Sequence, residues 1–558
     1  MADFIDEKIL ENIVIELANT KYASDLDFVK KLRQVFSTEH LAPTTKANLI
    51  LVYRQLVKSG RLKNDERIAE LFTKRAVRTL SGVSVITVLT KPFVCPGKCI
   101  YCPTESDMPK SYLSNEPAAM RAKMNLFDAE RQVTMRIQAL ENNGHLVDKI
   151  EILVLGGTWS VYPDQYQHDF IRDCFYAANT MINNSSPTAR NGNEKIIKRE
   201  KLSLSEEQTI NETARYKIIG LTLETRPDFI HETEIKKLRI LGCTRVQLGV
   251  QHTDNKILDL IQRGHSVEQS ILATHLLKDA GFKVDHHYMP DLPGSSPAKD
   301  LAMFKYVFES EDLQPDQLKI YPCVVNEFAE LNKWFQEGKY KPFSEKELLD
   351  LLLEVKKLVP PYMRINRLIR DIPEESIIAG NRITNLRQYL QAELKKQGKA
   401  CQCLRCREVK GELFDIKSVE LVTRKYRASQ GREWFLSFEN HDHTKVYAFL
   451  RLRINDKPQE NILAELKNAS LVRELHVYGK MIPALNVDDE DPSPEAQDGA
   501  ISNTQHLGLG KRLMAEAERI TLEQGLYKVA VISGIGVRNY YRKLGYELEG
   551  TYVTKNLK

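Results

Sequence analysis

From residue 83 to about 321 the chain alternates short apolar runs with amphipathic stretches. The runs Val83–Thr90, Ile150–Leu155, Ile218–Leu223, Arg245–Val250, Lys283–Tyr288 and Gln317–Tyr321 read as strands. Helices are expected to begin near Glu116, Asp164, Asp228, Asp254, Ser266 and Pro297. Six βα units in series predict an α/β fold with a parallel sheet, a full or partial (β/α) barrel, whose chemistry gathers at the C-terminal strand ends. Residues 1–80 read as short helices and 322–400 as helical and mixed. From about Ser418 the pattern becomes antiparallel-looking, with strands over 418–428, 434–439, 445–453 and 468–478. An acidic loop Asp488–Gly499, a helix over 510–524, the strand Lys528–Ser533 and a closing helix and strand complete a separate α+β module. The polar stretch Asn183–Thr213 reads as a surface excursion. The expected division is a basic helical region 1–80, a barrel 81–325, a cysteine-containing connection 326–416 and the α+β module 417–558.

Bulk properties narrow the class. With 42% hydrophobic residues the 558-residue chain can bury several cores, yet no window resembles a membrane span. The N-terminus lacks a basic segment followed by an apolar one, so no secretory signal is expected. Nine cysteines, an odd number and mostly clustered, do not suit a disulfide framework; a reducing cytoplasm fits. The net charge of +5 is mild but uneven. Between Lys46 and Arg78 nine Lys/Arg face three acids, and apolar Leu49, Val52, Leu56, Ile68 and Leu71 recur at helical spacing. A second basic stretch runs from Lys395 to Lys425. Basic helices are often only solvated faces; two such patches point towards a polyanionic partner.

The chemistry-bearing residues stand at predicted strand ends. Cys95, Cys99 and Cys102 form C-x3-C-x2-C just beyond the first strand. Three thiolates this close suit an iron-sulfur cluster with one open iron, the competing reading being an incomplete zinc knuckle. Gly156-Gly157-Thr158 ends the second strand, where glycines admit a ligand to the backbone or simply make a tight turn. Glu224 lies two residues from Arg226, as a ribose or ammonium holder or as half of an internal ion pair. Gln247, Gly249 and Gln251 share one strand face by period two. The adjacent His286 and His287 point to opposite faces, which argues against a shared metal. Farther on, Gln505, Gly508 and Gly510 open a helix, where free N–H groups suit a pyrophosphate. Cys401, Cys403 and Cys406 suit Zn2+ with one distant ligand, Cys323 or a histidine being candidates. Cys174 and Cys243 read as ordinary buried residues.

The cysteine triplet with these strand ends resembles the radical S-adenosylmethionine superfamily, and the C-terminal module resembles GNAT-type N-acetyltransferases. The pairing, with Arg78-Thr-Leu-Ser-Gly82, Leu223-Glu-Thr-Arg-Pro-Asp228, Arg367-Leu-Ile-Arg-Asp-Ile-Pro373 and Val472-Arg-Glu-Leu-His-Val-Tyr-Gly479, resembles the catalytic subunit of Elongator, the tRNA-uridine acetyltransferase family, over nearly all of 75–558. The resemblance implies that Cys95, Cys99 and Cys102 hold a 4Fe-4S cluster and that Gly156, Gly157, Thr158, Glu224, Gln247 and Gln251 surround S-adenosylmethionine. It implies that Lys149 reaches acetyl-CoA from the radical domain. In the second module Glu474, Leu475, His476, Val477, Gln505, Gly508, Leu509, Gly510, Lys511 and Tyr541 match its contacts, with Lys149, Tyr540 and Tyr541 as catalytic residues. The implied product is a carboxymethyl group at carbon 5 of the wobble uridine, the substrate being the tRNA anticodon stem-loop. The short C-x3-C spacing and the extra cysteines near Cys401 set this chain apart from eukaryotic members, so accessory Elongator subunits are an open expectation. A protein lysine acetyltransferase with a merely structural radical domain is the competing reading.

Overall fold

The computed structural model describes residues 7–39, 46–72, 82–181, 199–409, 418–479 and 508–557. Six parallel strands follow in chain order: β1 (Ser84–Leu89), β2 (Lys149–Leu155), β3 (Lys217–Thr225), β4 (Arg245–Gln251), β5 (Lys283–Tyr288) and β6 (Gln317–Ile320). After them come β7 (Val324–Val325), β8 (Arg364–Arg367) and β9 (Ala379–Gly380). β8 returns to the sheet beside β6, in parallel, while β7 and β9 pair as a small ribbon. The sheet thus has seven strands and extends past residue 325, into the stretch read from sequence as a connection.

Along β2, Ile150, Ile152 and Val154 are buried in the main core, while the alternate residues Lys149, Glu151 and Leu153 turn to the inner side. The helices Ala129–Asn142 and Asp164–Thr180 supply the outer layer with Val133, Ile137, Phe170, Ile171 and Phe175. The strand period of two makes this division unavoidable once helices cover one face. Within the expected excursion the chain forms a helix, Leu204–Asn211, started by a Ser203/Glu206 capping box. Buried Glu207 ties it down through Arg199 and Asn179.

The sheet is not closed. Its open seam between β1 and β8 is bridged by side chains: Arg370 donates to Glu116 and to Ser111, and Asn115 Nδ2 donates to Ser376 Oγ at 2.7 Å.

The helices Glu7–Asn19, Asp25–Thr38, Lys46–Lys58 and Glu66–Phe72 form a bundle with its own core, in which Leu49, Val52, Leu56, Ile68 and Leu71 are all buried. It reaches the barrel through Arg54, which donates to the Gly144 carbonyl at 2.7 Å.

The second sheet holds β10 (Val419–Arg427), β11 (Gly431–Asn440), β12 (Val446–Asn455), β13 (Ser470–Val477), β14 (Lys528–Val531), β15 (Glu547–Glu549) and β16 (Tyr552–Asn556). All pairs are antiparallel except β13 with β14, which touch only through Ser470–Val472. Beyond Val472 they part, and the helix Leu509–Glu523 begins opposite the opening. The acidic loop and Gln505 lie outside the described residues.

This module sits across the N-terminal ends of the barrel strands. Arg473 on β13 reaches Asp316 just before β6 and the carbonyl of Phe282 just before β5. Lys278, Asp279, Asp316, Glu433, Arg451, Arg453, Arg473 and Glu474 make one ion network, with Asp316, Glu433, Arg453 and Arg473 showing no exposed side chain. Gly534 lies against the Ile219 carbonyl so closely that a Cβ there would overlap backbone atoms. Gly534→Ala is therefore expected to cost at least about 1–3 kcal/mol, the range for overpacking, read as a lowered melting temperature and faster proteolysis between the modules.

Candidate active site

The cysteine loop leaves the C-terminal end of β1 and is fastened by backbone bonds on both sides. Ile100 N–H donates to Ile261 O at 3.2 Å, Leu331 N–H to Ile100 O at 2.8 Å and Thr104 N–H to Phe328 O at 2.9 Å. Cys95 and Cys99 flank Gly97, where a Cβ would lie 2.8 Å from the Arg226 guanidinium, so a side chain there would have to displace that arginine. Gly97 N–H donates to Cys95 Sγ at 3.4 Å, and Thr158 Oγ1 stands 3.7 Å from the same sulfur. Arg263 holds the Gly249 carbonyl through Nη2 at 2.6 Å and donates through Nη1 to Cys99 Sγ at 3.4 Å. Burial alone would raise the Cys99 thiol, but the charge and hydrogen bond of Arg263, with Tyr101 and Arg226, together hold that thiol below its ordinary value. The Cys102 thiol, buried and close to Cys99, is pushed up to about 11. A metal-bound thiolate needs such compensating cations, and the arginines supply them.

Gly156 and Gly157 both take left-handed φ values, +133° and +94°. At Gly156 the cause is packing, since a Cβ would overlap Thr90. Glu224 and Arg226 do not pair. Arg226 makes a bidentate contact with Asp228, 2.9 Å to each oxygen, while Glu224 faces His287 Nδ1 at 3.6 Å. Burial raises the Glu224 carboxyl and lowers the His287 imidazole. His286 turns the other way, to Thr274 and Tyr288, as the strand period demands. Gln247 and Gln251 face the inner side; Gln247 accepts from Lys319 Nζ at 2.6 Å.

The inner side of the barrel is a cavity of about 1400 Å³ that continues into the second module. At one end it is lined by Tyr101, Glu224 and Gln251, at the other by Gly508, Gly510, Lys511, Tyr540 and Tyr541. Glu474, Leu475, His476 and Val477 line the same end. Gly508 adopts φ +70° as it starts the helix Leu509–Glu523, and a Cβ on Gly510 would lie 2.8 Å from the Tyr540 hydroxyl. Burial pushes the Tyr540 phenol up to about 12 and raises that of Tyr541 too, so both are proton donors at neutral pH. Lys149, the first residue of β2, lines the cavity at this end, and burial lowers its ammonium pKa.

The sulfurs of Cys401, Cys403 and Cys406 lie within 4.8 Å of one another. A tetrahedral Zn–S distance of ~2.3 Å sets sulfurs about 3.8 Å apart, so one ion could bridge them. Hydrogen bonds from Cys401 and Cys403 hold the Cys406 thiol well below its ordinary value. The expected fourth ligand Cys323 is not in this group; it is buried in another core with Ile100, Val325 and Tyr340. Arg263 and Lys319 stand in the site although sequence reasoning did not single them out, whereas His287 had been noted at its strand end. Cys174 and Cys243 are buried, as expected. Among the described residues no helix is long and apolar enough to cross a membrane.

A parallel partial barrel with three cysteines in the loop after its first strand defines a radical S-adenosylmethionine protein. Residues 92–304 match the Radical SAM superfamily and 315–396 the Radical SAM C-terminal domain, a family whose cofactors are S-adenosylmethionine and a 4Fe-4S cluster. The tRNA uridine(34) acetyltransferase of Methanocaldococcus infernus is 42% identical over 516 residues, 90% of this chain and 91% of that protein. Elongator complex protein 3 of Homo sapiens is 38% identical, covering 87% of this chain and 86% of that protein. The structure of the archaeal Methanocaldococcus infernus Elp3 with an N-terminal deletion superposes with a TM-score of 0.71 at 40% identity, over 86% of this chain and all of that one. The chain belongs to the family of tRNA uridine(34) acetyltransferases and Elongator complex protein 3.

Proposed function

We propose that the protein modifies the wobble uridine of tRNA, using acetyl-CoA and S-adenosylmethionine to install a carboxymethyl group at carbon 5. The single observation that carries this reading is the continuity of the cavity, which joins the cysteine loop to the Gly508–Lys511 turn. Cys95, Cys99 and Cys102 would hold the 4Fe-4S cluster, and the donor set fits: three thiols on one loop with Arg263 and Arg226 beside them. When bound, the cluster supplies the electron that cleaves S-adenosylmethionine. Gly157, Thr158, Glu224, Gln247 and Gln251 would orient that cofactor. The N–H groups of Leu509, Gly510 and Lys511 offer a helix N-terminus to the pyrophosphate of acetyl-CoA. Residues Glu474 to Val477 offer a strand edge to its amide arm. Tyr541, kept protonated, and Lys149 would hold the coenzyme A arm where it enters the barrel from the second module. The basic helices would carry the tRNA by its phosphates, with the target base unstacked into the cavity.

Anaerobic incubation of the reconstituted protein with S-adenosylmethionine, reductant, acetyl-CoA and tRNA, followed by nucleoside mass spectrometry, should yield 5-carboxymethyluridine. A fully loaded protein that forms none, while acetylating lysines, would instead be a lysine acetyltransferase.

Cys401, Cys403 and Cys406 would hold structural Zn2+. The expected result for Cys403→Ser is loss of about one zinc per chain by elemental analysis and a drop of several degrees in melting temperature. Unchanged zinc content would remove the assignment.

A further inference from the structure

The two ends of the cavity are far apart for chemistry. Lys149, Lys283 and Arg364 begin β2, β5 and β8 at the end covered by the second module, whereas Leu155 and Gln251 finish β2 and β4 beside the cysteine loop. At ~3.3 Å per residue the length of β2 separates these ends by about 20 Å. Reacting atoms must approach to ~3–3.5 Å. A thioester whose pyrophosphate sits at Gly508–Lys511 therefore reaches the cysteine end only if its arm runs the length of the barrel interior.

That interior is built to admit one. (β/α) barrels normally fill it with layers of branched apolar side chains. Here it carries a hydrogen-bonded polar belt. Arg245 donates to Glu151, to Thr222 Oγ1 at 2.9 Å and to Gln317 Oε1 at 2.7 Å. Asn366 Nδ2 donates to Gln317 Oε1 at 2.7 Å and to Asp285 Oδ2 at 2.8 Å. The other Asp285 oxygen is fully buried and has no hydrogen-bond donor among the described residues. The charges are opposed locally, Arg245 against Glu151 and the buried Lys319 against Asp285, and between them stand the Gln317 and Asn366 amides and the Thr222 hydroxyl. Beside them the wall is bare at Gly220, where a Cβ would meet Glu151 Cγ at an ordinary 3.5 Å.

We propose that the barrel interior is a conduit through which the uncharged, amide-bearing arm of an acyl thioester extends from the second module to the cysteine loop. Gln317, Asn366 and Asp285 pair with its amides, and Arg245–Glu151 forms the waist it must pass. The inference rests on the reading of acetyl-CoA as cosubstrate.

The test is a coenzyme A thioester with a photoreactive diazirine in its acyl group, irradiated on the full-length protein and mapped by peptide mass spectrometry. This readout needs no cluster turnover. The expected labels fall on residues at the cysteine end of the interior such as Tyr101, Glu224 and Gln251, and labels that reach no farther than Glu151 and Gly220 overturn the conduit. Labels confined to the second module overturn the conduit. No labelling anywhere means that the thioester is not bound, and the proposed function itself fails.

Gly220→Phe plugs the bare position. It should keep thioester affinity within about twofold, move the label back to Glu474 and His476, and lower uridine modification at least about a hundredfold, as for misplaced reactants. Gly220→Ala should behave like the unsubstituted protein. Unchanged modification by a folded Gly220→Phe protein overturns the conduit. If that variant does not fold, the labelling of the unsubstituted protein decides alone.

Discussion

Alanine at Cys95, Cys99 and Cys102 together is expected to remove the bound iron and lower uridine modification by at least about a thousandfold, because no other group supplies the cofactor's electron. The fold should survive. The loop is fastened by backbone bonds at Ile100, Thr104 and Leu331 rather than by the thiols, and Cys95 is only half-buried. The melting temperature should fall by no more than a few degrees, and acetyl-CoA affinity at the far end of the cavity should hold. Iron analysis, calorimetry and nucleoside mass spectrometry check the three statements. Modification that persists without iron would sink the radical reading.

Arg473→Ala is the second large effect. It leaves Asp316 and Glu433 buried with one guanidinium fewer, and breaking a fully buried pair costs about 3–5 kcal/mol. The loss falls on the junction between the sheets, so calorimetry should show one transition dividing into two. The same network gives the junction an acid limit. Burial alone would raise the Asp316 and Glu433 carboxyls, but Arg473 and Lys278 outweigh it and hold both below the ordinary range. A carboxyl depressed in the folded state adds stability that is complete above its unfolded value of ~4 and fades as pH falls through the folded value. The modules should therefore stay joined at neutral pH and separate in the acid range below about pH 4. An Arg473→Ala protein that melts like the parent would refute the argument.

The six leading barrel strands were legible because their outer faces are apolar at period two under helices. β8 was not, since in Arg364-Ile-Asn-Arg367 only Ile365 enters the core and the rest turns to the polar interior. The helix Leu204–Asn211 was hidden for a related reason: Glu207, Gln208 and Asn211 are buried by hydrogen bonds, which no hydropathy pattern reports. The junction between modules escaped as well. Arg451, Arg453 and Arg473 look like surface residues on alternating strands, yet each also faces a carboxylate of the barrel, Asp316 or Asp279, far away in sequence. The cysteine loop announced itself by spacing, whereas Arg263, a lone arginine in a loop, carries no spacing signal. Cys323 had the right chemistry for zinc and the wrong place in the fold.

The open seam gives the barrel an uneven stiffness. Around the sheet, six strand pairings resist widening with ladders of backbone hydrogen bonds. Across the seam, among the described residues, side chains do the holding, chiefly Arg370, which also packs on the Tyr112 ring, and Asn115, and side chains can change rotamer without moving a strand. The interior thus has one wall whose opening breaks side-chain contacts and no strand pairing, so the frame that aligns the reacting groups can keep its shape while that edge changes.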